Sequence, residues 1–153
     1  MIGAIVMKIG ARRAWDAFNR RDLDYLERSM AEDVVVEIPG RPPIGGRFVG
    51  RKACREANQR WMDSLASFEW RVIHLAVANP LALGLTNTVL TEFELLETTH
   101  DGRSHRGRGV DVSELKRGKL VAGRTYMFDL EAEEAIRPRA PEPLTVVGAA
   151  SSG

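Results

Sequence analysis

The sequence predicts an α+β domain: helices packed on one face of a curved antiparallel sheet. Three observations carry the prediction. Helical periodicity is confined to segments before Phe68, four strand-like segments then follow in succession, and tight-turn signals separate the last three of these. A sheet folded over helices encloses a cone, and a cone with an open end is a ligand pocket.

The elements follow in order. From Lys8 to Arg21 the apolar residues Ala11, Ala14, Trp15 and Phe18 recur at helical spacing between Arg12, Arg13, Asp16 and Arg20. Asp22 can cap a short second helix that carries Leu23, Leu26 and Met30 on one side. Val34 to Ile38 is β-branched and stops at Pro39-Gly40, so it reads as a strand. Residues 39–50 hold three prolines and four glycines and read as a loop. A third helix from Arg51 to Leu65 turns Cys54, Ala57, Trp61 and Leu65 to one face.

Strands are then expected at Phe68–Ala78, Leu83–Thr98, Arg103–Lys116 and Lys119–Asp129, broken at Asn79-Pro80, His100-Asp101-Gly102 and Arg117-Gly118. One more helical turn fits Glu131–Ile136. The domain is expected to span residues 1–136, with residues 137–153 a mobile tail rich in Pro, Ala and Ser.

Composition excludes several function classes. A length of 153 residues, 44% hydrophobic, suits one compact domain with a core. With 22 Lys+Arg against 21 Asp+Glu there is no general attraction to nucleic acid or anionic lipid. The basic stretch Arg103–Arg108 lacks interleaved aromatics, so no nucleic-acid partner is expected. Cys54 is the single cysteine, which excludes an internal disulfide and a cysteine zinc cluster. The three histidines show no ligand spacing, and neither a metal nor any other cofactor is expected. No apolar run suits a membrane span, and the apolar segment 1–7 lacks a basic region before it, so a cytoplasmic, non-membrane protein is expected.

The element order, with Trp15-Asp-Ala-Phe-Asn-Arg-Arg-Asp-Leu-Asp24 and Asp33-Val-Val-Val-Glu-Ile-Pro-Gly40, resembles the nuclear transport factor 2-like superfamily. Within it the sequence is most similar to SnoaL-like polyketide cyclases, ketosteroid isomerases and limonene epoxide hydrolases. Gly118-Lys-Leu-Val-Ala-Gly-Arg-Thr-Tyr-Met-Phe-Asp129 resembles the family's closing strand. The resemblance covers about Lys8 to Asp129 and implies a cystatin-like α+β roll, its cone-shaped sheet wrapped on the N-terminal helices. It also implies a homodimer formed through the sheet.

Matched residue by residue, the isomerases' base aspartate falls on Ile38 and their tyrosine donor on Ala14. Their protonated aspartic acid falls on Asp111, a histidine in the cyclases. The essential acid that cyclases and epoxide hydrolases keep after the last strand's arginine falls on Thr125, or on Tyr126 if the strand bulges. The epoxide hydrolases' Arg-x-Asp pair falls on Glu92 and Glu94, and the resemblance places both inside the cone.

Strand alternation adds a reading of its own. If Asp111 faces the cavity, so do His105, Gly107, Gly109 and Ser113. The two glycines either leave volume for a ligand or permit curvature of the strand. Leu90, Glu92, Glu94 and Leu96 share one face of their strand; Thr91, Phe93 and Leu95 share the other. With the glutamates inside, up to three carboxyls meet in an apolar pocket, and mutual repulsion keeps one of them protonated. Alternatively the glutamates lie on a solvated or oligomeric face and pair with Arg106 or Arg108. The outer face of the meander, with Phe93, Leu95, Val110 and Val112, is apolar enough to suggest a homodimer.

The expected activity is therefore a small cofactor-free acid–base enzyme, an isomerase, cyclase or epoxide hydrolase. Its substrate would be a hydrophobic oxygenated molecule such as a polyketide or terpenoid intermediate. Asp111 and Glu94 would exchange protons while Tyr126 polarises a carbonyl or epoxide oxygen. Glu92, His105, Trp15, Phe18, Trp61 and Thr125 complete the expected substrate site. The rival expectation is a non-catalytic binding or dimerisation module on the same fold.

Overall fold

The computed structural model describes residues 2–42, 44–79 and 86–136. Helices α1 (Ile2–Asn19) and α2 (Leu23–Ser29) lead into strand β1 (Met30–Ile38). A short strand β2 (Gly46–Val49) and helix α3 (Arg51–Asp63) follow. Strands β3 (Leu65–Val77), β4 (Thr86–Thr99), β5 (Ser104–Lys116) and β6 (Lys119–Met127) then run in succession to helix α4 (Leu130–Ile136). The six strands form one sheet in the order β2-β1-β6-β5-β4-β3. All neighbours are antiparallel except β1 and β6, which are parallel. The helices cover one face, so the α+β roll expected from the sequence is present, with a mixed sheet.

Local chemistry accounts for the boundaries. The Asp22 carboxylate accepts the Tyr25 backbone N–H at 2.9 Å and so caps α2. Arg117 and Gly118 both take positive φ, 51° and 76°, as the two-residue turn between β5 and β6 requires. Asp129 accepts the Ala132 backbone N–H at 3.0 Å and starts α4.

Two segments extend beyond the sequence reading. The apolar residues from Ile2 to Met7 form the opening turns of α1. Within the expected loop 39–50, Gly46–Val49 pairs with Ile38 to Val35 as β2. The expected strand start at Leu83, part of the Asn79-Pro80 turn and the tail 137–153 lie outside the described residues.

The core lies between the helices and the concave face of the sheet. Ala17, Leu26, Val34, Met62, Leu65, Phe93 and Leu95 are buried there. The expectation that Phe93 and Leu95 share an outer dimer face with Val110 and Val112 is therefore corrected. Phe93 and Leu95 pair with Gly109 and Gly107 on the concave side, while Val110 and Val112 stand beside Glu92 and Leu90 on the convex side. No helix among the described residues is long and apolar enough to cross a membrane.

Candidate functional site

A cavity of about 350 Å³ lies between the helices and the concave sheet face. Helix α1 presents Met7, Ala11, Ala14, Trp15 and Phe18 to it, a stripe at three- and four-residue spacing. The sheet contributes Val89, Thr91 and Leu95 from β4, Asp111 and Ser113 from β5, and Thr125 and Met127 from β6. Trp61 of α3 and Trp70 of β3 add aromatic wall; the Trp15 and Trp70 ring centroids are 4.8 Å apart and those of Trp61 and Trp70 5.7 Å.

Asp111 is the chemical centre of this space. Its side chain is buried, and two hydroxyls reach it. Ser113, two residues along the same face of β5, donates to Oδ2 at 2.5 Å; Thr125, directly opposite on β6, donates to Oδ1 at 3.1 Å. Burial pushes the Asp111 carboxyl above the ordinary carboxylate range, and the two hydroxyl donors oppose that shift. On the other side of Asp111, Thr91 is its register partner on β4 and accepts the Trp15 indole N–H at 3.4 Å. The result is a carboxyl with hydroxyl neighbours set in apolar walls. Such a group can hold, donate or accept a proton close to a bound molecule.

Of the residues proposed from the sequence, Asp111, Thr125, Trp15, Phe18 and Trp61 line the cavity together. Glu92 and Glu94 do not. The register opposes Thr91, not a glutamate, to Asp111, and both glutamates lie on the convex face. There Glu94 stands 3.7 Å from both Arg71 and Arg106. Glu92 lies 2.7 Å from His74 Nδ1 and 2.5 Å from Arg108 Nη2. The hydrogen bond with His74, reinforced by Arg108, holds the Glu92 carboxyl below its usual range. The physical reason for the correction is desolvation: the alternating strand buries Phe93 and Leu95 and leaves the acids where solvent and cations satisfy them.

Tyr126 is likewise placed outside. It pairs with Val110 on the convex face and is 54% exposed, so its hydroxyl does not join Asp111. A bulge decides this. Lys116 and Leu115 face Lys119 and Leu120, but Glu114 faces Ala122, and the extra residue brings Thr125 opposite Asp111. His105 lies on the concave face opposite Glu97, beyond the cavity lining, and its Nε2 is buried without a hydrogen-bond partner.

Gly107 and Gly109 do not leave room for a ligand. A Cβ on Gly109 would stand 2.3 Å from the Tyr126 carbonyl oxygen and 2.7 Å from the Phe93 ring, and one on Gly107 would stand 2.9 Å from Met127 Cε. Close packing, not empty volume, explains both glycines.

Sequence reasoning missed Asn58, Tyr25 and Trp70 as lining residues. Asn58 had a legible signal: four residues after Cys54 and three before Trp61, it is a polar residue on the apolar face of its helix. Trp70 is the alternate-position neighbour of Phe68, a pattern the sequence also carries. Tyr25 sits on α2 between the buried Leu23 and Leu26, with no comparable signal.

The SnoaL-like domain profile matches residues 11–123. Among solved structures, Bal32a from a soil-derived mobile gene cassette superposes with a TM-score of 0.75 at 23% identity, over 86% of this chain and 95% of that one. A candidate polyketide cyclase of Xanthomonas campestris pv. campestris gives a TM-score of 0.63 at 21% identity, over 84% and 94%. An epoxide hydrolase of M. tuberculosis resembling limonene epoxide hydrolase gives 0.63 at 18%, over 83% and 86%. No curated protein matches the chain. The structural likenesses speak for the fold, and the profile match spans most of the chain. The chain belongs to the SnoaL-like domain family, on the nuclear transport factor 2-like fold.

Proposed function

We propose that the protein is a small acid–base enzyme acting on a hydrophobic oxygenated molecule, with Asp111 as its proton-transferring group. The observation that carries this is the setting of Asp111: a buried carboxyl, its pKa raised by desolvation, bordered by hydroxyls and open to an aromatic cavity. Glu94 and Tyr126 have no part in it, because they face away from the cavity.

A carboxyl that exchanges one proton with its ligand suits reactions in which the proton removed is also the proton returned; Glu133 of α4, also buried, adds a second carboxyl to the cavity lining. The Asp111 carboxylate takes a proton from carbon next to a carbonyl, the electron pair moves into the enolate, and the carboxylic acid returns the proton to a second carbon. The balance needs no co-reactant. Isomerisation or cyclisation of a polyketide or terpenoid ketone fits that pattern better than epoxide hydration, which uses separate activation of water and of the leaving oxygen. The family's cyclase and epoxide hydrolase relatives support the general class.

The test is deuterium uptake. A panel of hydrophobic enones and β-diketones is incubated with the protein in D2O and followed by mass spectrometry. Uptake next to the carbonyl should occur with the wild-type chain, fall about 10²–10⁴-fold in Asp111→Asn, and persist in Glu94→Gln and Tyr126→Phe. Equal uptake in Asp111→Asn would sink the assignment. The second reading, a non-catalytic binding module, is favoured by the outward placement of Glu94 and Tyr126; it predicts binding of the same molecules without uptake.

A further inference from the structure

Asp111 supplies one polar pole of the cavity, and α3 supplies another. Asn58 is only 8% exposed, lies on the buried face of α3 beside Ala57, Trp61 and Met62, and lines the same cavity. Its amide makes no hydrogen bond among the described residues, and its atoms are not sealed off, so its donor and acceptor open onto the cavity. A buried amide left unpaired costs about 1–3 kcal/mol, and an apolar side chain at this helix position would avoid that. Its natural partner is whatever occupies the cavity.

The two poles stand on different walls. Helix α3 packs mainly on α2, β1, β2 and β3, whereas β5, which carries Asp111, packs mainly on β4, β6 and α4. The aromatic rings of Trp15, Trp61 and Trp70 line the space between. A molecule that reaches both poles has an apolar, ring-like body with an oxygen function at each end.

We infer that Asn58 is a specificity-determining residue: its amide hydrogen-bonds a second oxygen of the ligand, and the site takes doubly oxygenated ring systems in preference to singly oxygenated ones. An amide both donates and accepts, so it recognises either a hydroxyl or a carbonyl there. A site built to pair with such an oxygen discriminates strongly against the analogue lacking it, because the amide is then left unpaired. The inference rests on the proposed role of the cavity as the ligand site.

All three tryptophans of the chain line the cavity, so intrinsic fluorescence reads its occupancy. The probes are 4,4′-dihydroxybiphenyl and 4-hydroxybiphenyl, titrated against the wild-type protein and Asn58→Leu. The wild type should bind the dihydroxy probe at least tenfold more tightly. In Asn58→Leu that preference should vanish through weaker binding of the dihydroxy probe alone. The variant's melting temperature should equal or exceed that of the wild type, since the amide holds no intramolecular hydrogen bond; a purely structural asparagine would give a drop. Asn58→Ala is the second variant, in case leucine overfills the wall, and should also lose the preference. A preference retained in both variants, or absent from the wild type, overturns the role of Asn58 while leaving the cavity reading standing. Failure of both probes to bind the wild type overturns the cavity reading and the inference with it.

Discussion

Two glycines give a matched test of where the empty space lies. Gly109 sits on β5 opposite Phe93 and Met127, and a Cβ there would meet the Tyr126 carbonyl oxygen at 2.3 Å. Ordinary van der Waals contact begins more than 1 Å further out, and the obstacle is backbone, so β5 and β6 must separate. Overpacking of that kind costs about 1–3 kcal/mol, against which a strand glycine replaced by alanine regains only about 0.5–1 kcal/mol. Gly109→Ala should therefore destabilise by about 2 kcal/mol. Gly10, in the middle of α1 and on the cavity lining, has nothing within 4 Å of its Cβ position. Gly10→Ala should stabilise by about 1 kcal/mol through helix propensity alone. Urea unfolding followed by tryptophan fluorescence reads both. With a slope of about 1–3 kcal/mol per molar urea, the midpoints should move in opposite directions, by about 1 M for Gly109→Ala. A Gly109→Ala midpoint at or above that of the wild type would refute the packing argument and return the ligand space to the face of β5.

Two further perturbations test the site and the register. Because the folded-state carboxyl of Asp111 lies above its unfolded value of about 3.9, the native state holds more protons between those two values, and stability falls as pH rises through that window. Asp111→Asn removes this slope, so the variant should gain stability relative to the wild type as pH rises above about 4. Urea midpoints at several pH values check it, and a difference that does not change with pH contradicts the raised value. Phe93→Ala should lose about 3–5 kcal/mol as a fully buried ring, whereas Glu94→Gln should change stability by about 1 kcal/mol or less, as expected for a partly exposed ion pair. Equal losses in thermal melts would mean that the wrong face of β4 has been placed inside.

The element order was legible because it depends on local signals. The Arg117-Gly118 turn, the Asp22 cap and the α1 stripe of Ala11, Ala14, Trp15 and Phe18 each declare themselves within a few residues. Short β2 carried no such signal, since four residues among glycines gain their strand character from pairing with β1. In the site, Asp111, Thr125 and three aromatic positions were legible because alternation and helical spacing fix which residues share a face. Facing is a different matter from inside and outside. That choice needs cross-strand register, and a single bulge in β6 settles Thr125 against Tyr126.

For β4, elementary energetics already pointed the right way. Burying Phe93 and Leu95 gains about 1.5–3 kcal/mol each, whereas burying Glu92 and Glu94 without cations costs several. Family resemblance argued for the opposite face, and the chain resolves the conflict in favour of desolvation, giving each glutamate positively charged or protonatable neighbours outside. This narrows the chemistry as well as the geometry. A cavity with three carboxyls would share protons among them and keep acid and base side by side. With Glu92 and Glu94 outside, the carboxyls on the cavity lining are Asp111 and Glu133, and the proton affinity of Asp111 is set by burial against the hydroxyls of Ser113 and Thr125. Under the proposed function, a ligand that displaces water from this space would strengthen the desolvation and raise that affinity further, so that binding itself would prepare Asp111 to take a proton from the molecule bound there.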